Sequence, residues 1–320
     1  MIEIRKYKKE DKEVWDDFIK NSKNGIFLFY RDYMDYHKER FVDHSLIVSD
    51  ETRIIALFPA NEKEVTLVSH GGLTFGSLIM SHGIKAVQVL EVFQLIKEYY
   101  TKLGFKKIVL KISPHIFHRY PSQEDLYALF RLNATLIRRD ISSVIKMDGR
   151  VPFSKPKRRA VEKCIRDGMV FSENKDFTEY WNLLTEVVSK FNVKPVHSLE
   201  EIVYLNKRFP EKIRLFEARK EGMLLAGLVI YDYDTVVHVQ YQANSPEGRK
   251  MGALEFLNHN LINETFKDRE YYSFGISTEN EGKKLNRGLI QQKERMGARG
   301  IALDFYSIPL DVSFQNAVYG

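Results

Sequence analysis

The segment Val236–Ala253 (VVHVQYQANSPEGRKMGA) combines residue types that suit the binding of an anion. An alternating run typical of a strand leads into a stretch containing Gly248 and Gly252, and a helical pattern follows. Glycines let backbone N–H groups approach a ligand closely, and the first N–H groups of a helix lack partners within it. Arg249 and Lys250 add two positive charges. A diphosphate fits this arrangement best, and the alternative is a plain strand-to-helix turn. Neither Gly-x-x-x-x-Gly-Lys-Ser/Thr nor Gly-x-Gly-x-x-Gly occurs here.

Three histidines and one tyrosine stand where a side chain could exchange protons with a substrate. His70 ends a predicted strand before two glycines, so we expect it to face a cleft; the alternative is a histidine that caps a turn. His197 directly precedes a helix whose first residues form a capping-box pattern. His238 and Tyr241 lie on the strand of the glycine-containing segment, where alternation predicts opposite faces. Both are equally compatible with packed side chains.

Other catalytic arrangements are not indicated. No His-Glu-x-x-His or comparable spacing occurs, so no metal is predicted. No Gly-x-Ser-x-Gly motif occurs. The single cysteine, Cys164, cannot form an internal disulfide. It lies in a basic helical stretch, where a half-buried structural thiol is commoner than a reactive one.

The elements that must position these residues follow a similar order in the two halves of the chain. In the first half, the patterns predict strands at 2–7, 45–49, 54–59, 65–69 and 107–112, with helices around residues 14–19 and 87–99. In the second half they predict helices at 157–167, 177–191, 253–266 and 286–296, and strands at 213–220, 223–231, 236–243, 271–274 and 301–306. Gly and Pro residues within 148–156 indicate a boundary. We therefore predict an α/β protein with mixed sheets and two domains, 1–150 and 151–320.

Composition excludes several classes of protein. The 320 residues are 44% hydrophobic, with 21 Phe and 17 Tyr, which excludes a disordered or collagen-like chain. The longest apolar runs fall far short of the ~20 residues that a membrane span requires. The charged start, MIEIRKYKKEDKEVW, does not resemble a signal peptide. These features predict a soluble, cytoplasmic protein.

The net charge of +6 is modest for 320 residues, and the one dense basic block is Lys155–Arg166. It could be a solvated helix face, a site for an anionic ligand or a nucleic-acid patch. No aromatic residues interleave the block, which disfavours a base-stacking platform.

Several segments resemble a known superfamily. Arg249–Leu254 resembles the pyrophosphate loop Gln/Arg-x-x-Gly-x-Gly/Ala of the GNAT N-acyltransferases, with Leu254 at the last position. YQANSPEGRKMGALEFLNHNLI, Phe274–Ser277 and Gly288–Ala298 resemble its tandem, FemAB-like branch. In the first half YMDYHKERF, LFPAN and SHGGLTFG resemble members found in surface-polysaccharide pathways. The resemblance covers roughly residues 1–306.

This resemblance implies two tandem GNAT-like domains, the second binding acyl-CoA and the first, which lacks a comparable loop, binding the acceptor. The implied activity is transfer of an acyl group from acyl-CoA to the amino group of a sugar, nucleotide-linked through dTDP or UDP, for surface polysaccharide synthesis. The catalytic candidates are His70, His197, His238 and Tyr241. The cofactor-binding candidates are Ala243, Asn244, Gly248, Arg249, Lys250, Gly252, Ala253, Asn286 and Lys293. The substrate-binding candidates are Gly72, Thr74, Phe75, Ser277 and Tyr306.

Three alternatives stay open. A FemAB-like enzyme would take an amino acid from charged tRNA and add it to a peptidoglycan precursor, although no long paired-helix insertion is visible. A non-catalytic binding protein on a GNAT scaffold is the second alternative, and a nucleic-acid binder is the third. The expected partners are small-molecule substrates, with no nucleic acid and no membrane span.

Overall fold

The computed structural model describes residues 1–310, which form two compact units. Unit 1 contains Met1–Asp140, Glu281–Lys283 and the described chain from Ala302 onwards. Unit 2 contains Ile141–Asn280 and Lys284–Ile301. These limits differ from the predicted domains 1–150 and 151–320, because the Gly and Pro residues near 150 mark a turn at the end of a strand and the last strand returns to unit 1. Residues 311–320 of the predicted second domain lie outside the described residues.

The strands of unit 1 belong to two sheets. Its strands are β1 (Ile2–Lys6), β2 (Leu46–Asp50), β3 (Arg53–Phe58), β4 (Asn61–Lys63), β5 (Thr66–Val68), β6 (Ile79–Met80) and β7 (Lys107–Lys111). Its helices are α1 (Lys12–Asn21), α2 (Arg31–Met34), α3 (Ala86–Lys102) and α4 (Glu124–Arg131). The first sheet is antiparallel in the order β1-β2-β3-β6. In the second, β4 pairs with β5, β5 runs parallel to β7, and β7 pairs with the last strand, Arg299–Pro309.

The long helix α3 supplies much of the unit 1 core. Its buried residues recur at helical spacing, and they pack against the inner faces of β2, β3 and β7. The helix ends before Gly104, which adopts φ 87°, a left-handed conformation that glycine reaches without strain. The prediction of this helix and of its glycine end is confirmed.

Unit 2 contains a mixed sheet covered on both faces and a separate two-stranded antiparallel sheet, formed by Thr278–Glu279 and Lys284–Leu285. Its strands are β8 (Thr135–Lys146, beginning in unit 1), β9 (Val170–Asn174), β10 (Ile213–Lys220), β11 (Met223–Asp232), β12 (Val236–Asn244), β13 (Tyr271–Ile276), β14 (Thr278–Glu279) and β15 (Lys284–Leu285). The last strand, introduced above, is β16. The helices are α5 (Lys155–Arg166), α6 (Thr178–Ser189), α7 (Leu199–Arg208), α8 (Pro246–Met251), α9 (Ala253–Asn260) and α10 (Arg287–Glu294). The sheet order is β8-β13-β12-β11-β10-β9, and only β12 and β13 run parallel.

The two faces of this sheet are buried by different helices. Helices α5 and α9 pack on one face around Leu228, Ile230, Val237 and Val239. Helix α6 covers the other face. There a Cβ on Gly227 would lie 2.2 Å from the Tyr180 ring, so only glycine lets the helix approach this closely. A π-helical turn, Leu261–Thr265, follows α9.

The predicted α/β class with mixed sheets is confirmed. The hairpin of β10 and β11, the Ser198–Glu201 capping box and most other elements also match within a few residues. Strands β8 and β9 and helix α4 were not predicted. The predicted helix 253–266 is interrupted, because α9 gives way to the π-helical turn.

Candidate active site

The neighbouring strands β12 and β13 pair over only part of their length. Val236–His238 lie beside Tyr271–Ser273, and no pairing continues beyond them. Gly275, with φ 73°, and an irregular register between Ser273 and Ile276 turn β13 aside. We call the unpaired stretch between residues 239–244 of β12 and residues 274–276 of β13 the strand opening. Along it, the backbone groups of β12 that face β13 have no strand-pairing partner within residues 1–310, so a ligand could pair with them.

Lys293 brings a buried cation to the strand opening. Lys293 is 4% exposed, and its Nζ donates to the carbonyl oxygens of Gly275 at 3.0 Å and Ile276 at 2.7 Å. Burial lowers the pKa of this ammonium to about 8. A buried ammonium held at a strand edge can stabilise negative charge that develops on a bound carbonyl.

His238 lies beside this lysine. Its Nδ1 is 3.0 Å from Oγ of Ser273, and a Cβ on Gly275 would lie 3.3 Å from its Cε1. Burial, together with the charge of Lys293, lowers the pKa of His238 to about 4. The imidazole is therefore neutral at pH 7.

A β-bulge at Gln240 reverses the predicted facing of Tyr241. Tyr241 pairs with Val229 and Val239 pairs with Ile230, so Gln240 has no partner on β11. Beyond the bulge, Tyr241 lies on the same face as His238, against the α6 ring of Trp181 at 5.2 Å between centroids. The prediction that these two residues occupy opposite faces is wrong, because the extra residue shifts the alternation by one.

The same bulge places Tyr241 against His197. The tyrosine oxygen is 2.5 Å from Nδ1 of His197 and accepts a 3.3 Å hydrogen bond from its backbone N–H. Burial raises the pKa of Tyr241 to about 12, so the hydroxyl keeps its proton and donates it to Nδ1. Two residues that are 44 positions apart thus form one proton-exchanging pair.

Comparisons with solved structures identify this architecture. FemX matches with a TM-score of 0.68 and 11% identity, covering 96% of this chain and 97% of that one. L-PGS from Bacillus licheniformis matches with a TM-score of 0.62 and 13% identity over 97% and 94%. A tandem GNAT protein from the clavulanic acid biosynthesis pathway matches with a TM-score of 0.54 and 11% identity over 98% and 100%. The chain has a tandem GNAT-like fold. No protein-family model and no curated protein matches its sequence.

The predicted diphosphate cradle does not fit the residues found at Gly248 and Gly252. Gly248 lies inside helix α8, not in a loop. Its N–H bonds to Ser245 Oγ at 2.9 Å, and a Cβ there would lie 2.2 Å from the Leu225 carbonyl oxygen. Gly252, with φ 87°, joins α8 to α9, and its Cα faces Ala160 of α5. Both glycines are therefore needed for helix packing.

The first turn of α9 already contains a carboxylate. Ala253 is buried there, and Glu255, three residues past Gly252, is 8% exposed and forms an ion pair with Lys157. A diphosphate bound at this helix end would be repelled by the negative charge of Glu255. That carboxylate already interacts favourably with the positive N-terminal end of the helix dipole. The residues at this helix end therefore do not suit the diphosphate of coenzyme A.

The other predicted cofactor residues are spread around this region. Arg249 and Lys250 are exposed on α8, and Ala243 is buried. Asn244 is 9% exposed, and its Oδ1 has no hydrogen-bond partner among residues 1–310. Asn286 caps α10, accepting from the Leu289 N–H at 3.0 Å. Of this group, Ala243, Asn244 and Lys293 belong to the strand opening, and Lys293 is the one that brings a charge to it.

In unit 1, the loop from Ser69 to Gly76 is closed by its own hydrogen bonds. Ser69 Oγ donates to the Gly76 carbonyl at 3.0 Å and accepts from the Lys111 N–H at 2.9 Å. Nζ of Lys111 donates to the carbonyls of Gly71 and Leu73, and burial lowers its pKa to about 8. The loop is thus pinned to β7.

His70 is buried by this loop instead of facing a cleft. It is 3% exposed with φ 59°, and its ring lies 5.7 Å from that of His37 and 5.6 Å from that of Phe41. Its Nδ1 has no hydrogen-bond partner in the described chain. Burial lowers the pKa of His70 to about 3. It is therefore a neutral packed side chain at pH 7.

The predicted substrate residues lie in different surroundings. Gly72 packs against His37, since a Cβ there would lie 1.9 Å from Nε2 of His37. Thr74 is half-buried, whereas Phe75 is buried against Phe117 at 4.5 Å. Ser277 is buried, with its Oγ 3.2 Å from that of Ser143, and partly exposed Tyr306 lies on β16. Among residues 1–310 no cluster of His, Cys, Asp or Glu could hold a metal ion, and no helix could span a membrane.

Sequence reasoning missed three residues that shape these sites. Ser273 orients His238, Lys111 closes the unit 1 loop, and Glu255 occupies the end of α9. None stands in a recognisable motif. Each acts through a neighbour that is distant in sequence, so only the fold reveals it.

Proposed function

We propose that the chain is an N-acyltransferase in which an amine attacks the carbonyl carbon of an activated acyl group within the strand opening of unit 2. The observation that carries the proposal is the buried ammonium of Lys293 at the edge of two diverging parallel strands. The tandem GNAT-like fold supports it.

The chemistry assigns separate tasks to the residues of unit 2. Attack forms a C–N bond and places negative charge on the carbonyl oxygen. Lys293 and the unpaired backbone N–H groups of β12 can stabilise that charge. Collapse of the intermediate then breaks the bond between the carbonyl carbon and its carrier.

The attacking amine must also lose a proton. Tyr241 can accept it while passing its own proton to Nδ1 of His197, because the two atoms are already joined by a hydrogen bond. His238 is neutral and hydrogen-bonded to Ser273. We therefore assign it the role of a positioning residue beside Lys293.

We consider two carriers for the acyl group of the donor, and a different observation favours each. Acyl-CoA is the donor implied by the sequence resemblance, and it would have to bind without the glycine cradle. An aminoacyl group carried on tRNA is the second candidate. The exposed basic side chains of α5, Arg158 and Arg159 among them, favour a polyanionic carrier, and so does the occupied end of α9.

For the acceptor, we propose the amino group of a nucleotide-linked sugar, with unit 1 contributing to its binding. The support is the resemblance of the first half of the chain to proteins of surface-polysaccharide pathways.

The test offers the purified full chain each donor in turn, with UDP- and dTDP-linked amino sugars as acceptors. Acetyl-CoA, a longer acyl-CoA and charged tRNA are compared, and the acylated amine is detected by mass spectrometry. Product formed by the wild type and lost in Lys293→Met would support the proposal. Failure of all three donors with these amino sugars, and with a peptidoglycan precursor offered as a further acceptor, would contradict it.

A further inference from the structure

A cavity of about 170 Å³ in unit 2 lies near the start of α5 and the ends of α9 and α10. Its apolar walls are Ile145, Phe153, Ile262 and Met296. Its polar lining is basic or neutral: Arg150, Arg158, His259 and Asn263, with no carboxylate. We call it the Phe153 cavity. We propose that it binds a small carboxylate that carries an apolar group, at a place separate from the strand opening.

The two arginines of the cavity differ in how they are held. Arg150 is fixed, because it donates to the Ile262 carbonyl at 3.3 Å and to Asn263. Arg158 is exposed and has no hydrogen bond from its side chain and no ion pair within residues 1–310. A guanidinium with free donors beside an apolar wall suits a carboxylate, which it can bind through two parallel hydrogen bonds.

The two neutral polar groups satisfy each other. Asn263 Nδ2 lies 3.0 Å from Nδ1 of His259 and donates to the His259 carbonyl at 2.6 Å. The Phe153 ring stands edge-on to the imidazole at 6.2 Å. The arginines are therefore the groups that would attract an anionic ligand. The apolar walls of the cavity would contact the carbon atoms of that ligand.

An adjoining cleft of about 500 Å³ extends the positive surface. It shares Val151 and Pro152 with the Phe153 cavity and adds Arg295 and Arg299, against one acid, Glu294. The shared segment Val151–Pro152 thus has arginines in the cavity on one side of it and in the cleft on the other. Ligand pockets of drug size are about 300–1,000 Å³, so the smaller Phe153 cavity suits a compact apolar group such as one aromatic ring.

The cavity is close to the turn that carries Lys293, because the Met296 N–H donates to the Lys293 carbonyl at 3.0 Å. A ligand against Met296 would therefore touch this turn. Neither the binding proposal nor its test depends on the acyltransferase activity.

The test measures binding of benzoate to the full chain by saturation-transfer NMR and calorimetry, with benzamide, phenyl phosphate and inorganic phosphate as comparisons. Benzoate should bind saturably, and benzamide, which has the same ring without the charge, should bind at least about tenfold more weakly. Arg158→Gln should weaken benzoate by about tenfold or more. Arg159→Gln, which removes a charge that is also exposed on the same helix but lies outside the cavity lining, should leave benzoate binding unchanged.

Four outcomes would overturn the proposal. One is the absence of saturable benzoate binding to protein that circular dichroism shows to be folded. Another is equal weakening by Arg158→Gln and Arg159→Gln, which would indicate general attraction to the basic surface. The third is inorganic phosphate binding as tightly as benzoate, because the apolar wall would then contribute nothing. The last is tighter binding of phenyl phosphate than of benzoate, which would show that the cavity prefers a phosphate ester to a carboxylate.

Discussion

The hydroxyl oxygen of Tyr241 lies 2.5 Å from Nδ1 of His197. The pair depends on the bulge at Gln240, which turns Tyr241 toward α6 and the loop before α7. Because the tyrosine oxygen already accepts the His197 N–H, its own proton points to the imidazole. The pair can take a proton from an amine without leaving a charge on the tyrosine.

Removing the Tyr241 hydroxyl should therefore slow proton transfer while keeping the fold. We expect Tyr241→Phe to lower kcat by about 10²-fold, a typical size for a lost proton relay, because the ring still packs on Trp181. His197→Ala should cost a similar factor, and the double variant should be no slower than the worse single one. Tyr204→Phe, at an exposed position of α7, is the matched control. Additive losses in the double variant would show that the two residues act separately.

Lys293 is expected to act on the developing charge. Lys293→Met should lower kcat by about 10²-fold or more, with a smaller effect on KM, because the ammonium is needed most in the transition state. Arg287→Gln, at the exposed start of the same helix, controls for general charge effects. A Lys293→Met enzyme with near-normal kcat and an intact circular dichroism spectrum would remove this lysine from the mechanism.

The lowered pKa of Lys293 also predicts a pH dependence. Burial brings this pKa to about 8, so the charged fraction falls as pH rises through 8. The rate should therefore decline on the alkaline side with an apparent pKa near 8. The residual activity of Lys293→Met should lack this decline. The measurement is kcat from pH 6 to 9.5 at constant ionic strength, and an identical alkaline decline in both proteins would assign it to another group.

Buried histidines should make the fold sensitive to acid. The pKa of His70 is about 3 in the folded chain and near 6.5 in an unfolded one, so between these values the unfolded state binds more protons. The free energy of unfolding therefore falls as pH drops from 6.5 toward 3, by up to about 1.4 kcal/mol per pH unit for this residue. His70→Asn, which tolerates the positive φ, should make the decline shallower in urea unfolding at pH 7, 5.5 and 4.5. The exposed control His82→Asn should leave the slope unchanged, and an equal slope in His70→Asn would refute the assignment.

Local patterns predicted the elements well, because residues such as Gly104 and Ser198 act on the backbone next to them. The pairing of strands was less accessible. Nothing in VVHVQYQA marks Gln240 as the bulged residue, so the facing of Tyr241 was assigned by simple alternation. The sequence leaves Gly248 open between a ligand site and a plain turn, because a glycine that serves a phosphate and one that serves helix packing look alike in sequence. What separates them is the Leu225 carbonyl on β11, 23 positions away.

Gly248 gives a direct test of this distinction. A Cβ at this position would lie 2.2 Å from the Leu225 carbonyl oxygen and 2.5 Å from Asn244 Oδ1, so Gly248→Ala should lower the free energy of unfolding by about 1–3 kcal/mol. Gly288→Ala on α10, where the nearest atom would be 3.8 Å away, should cost nothing and can even stabilise its helix. Urea unfolding measures both variants, and calorimetry with acetyl-CoA follows on whichever stays folded. If Gly248→Ala were as stable as the wild type but lost acyl-CoA binding, Gly248 would belong to a donor site and not to the packing of α8 on β11.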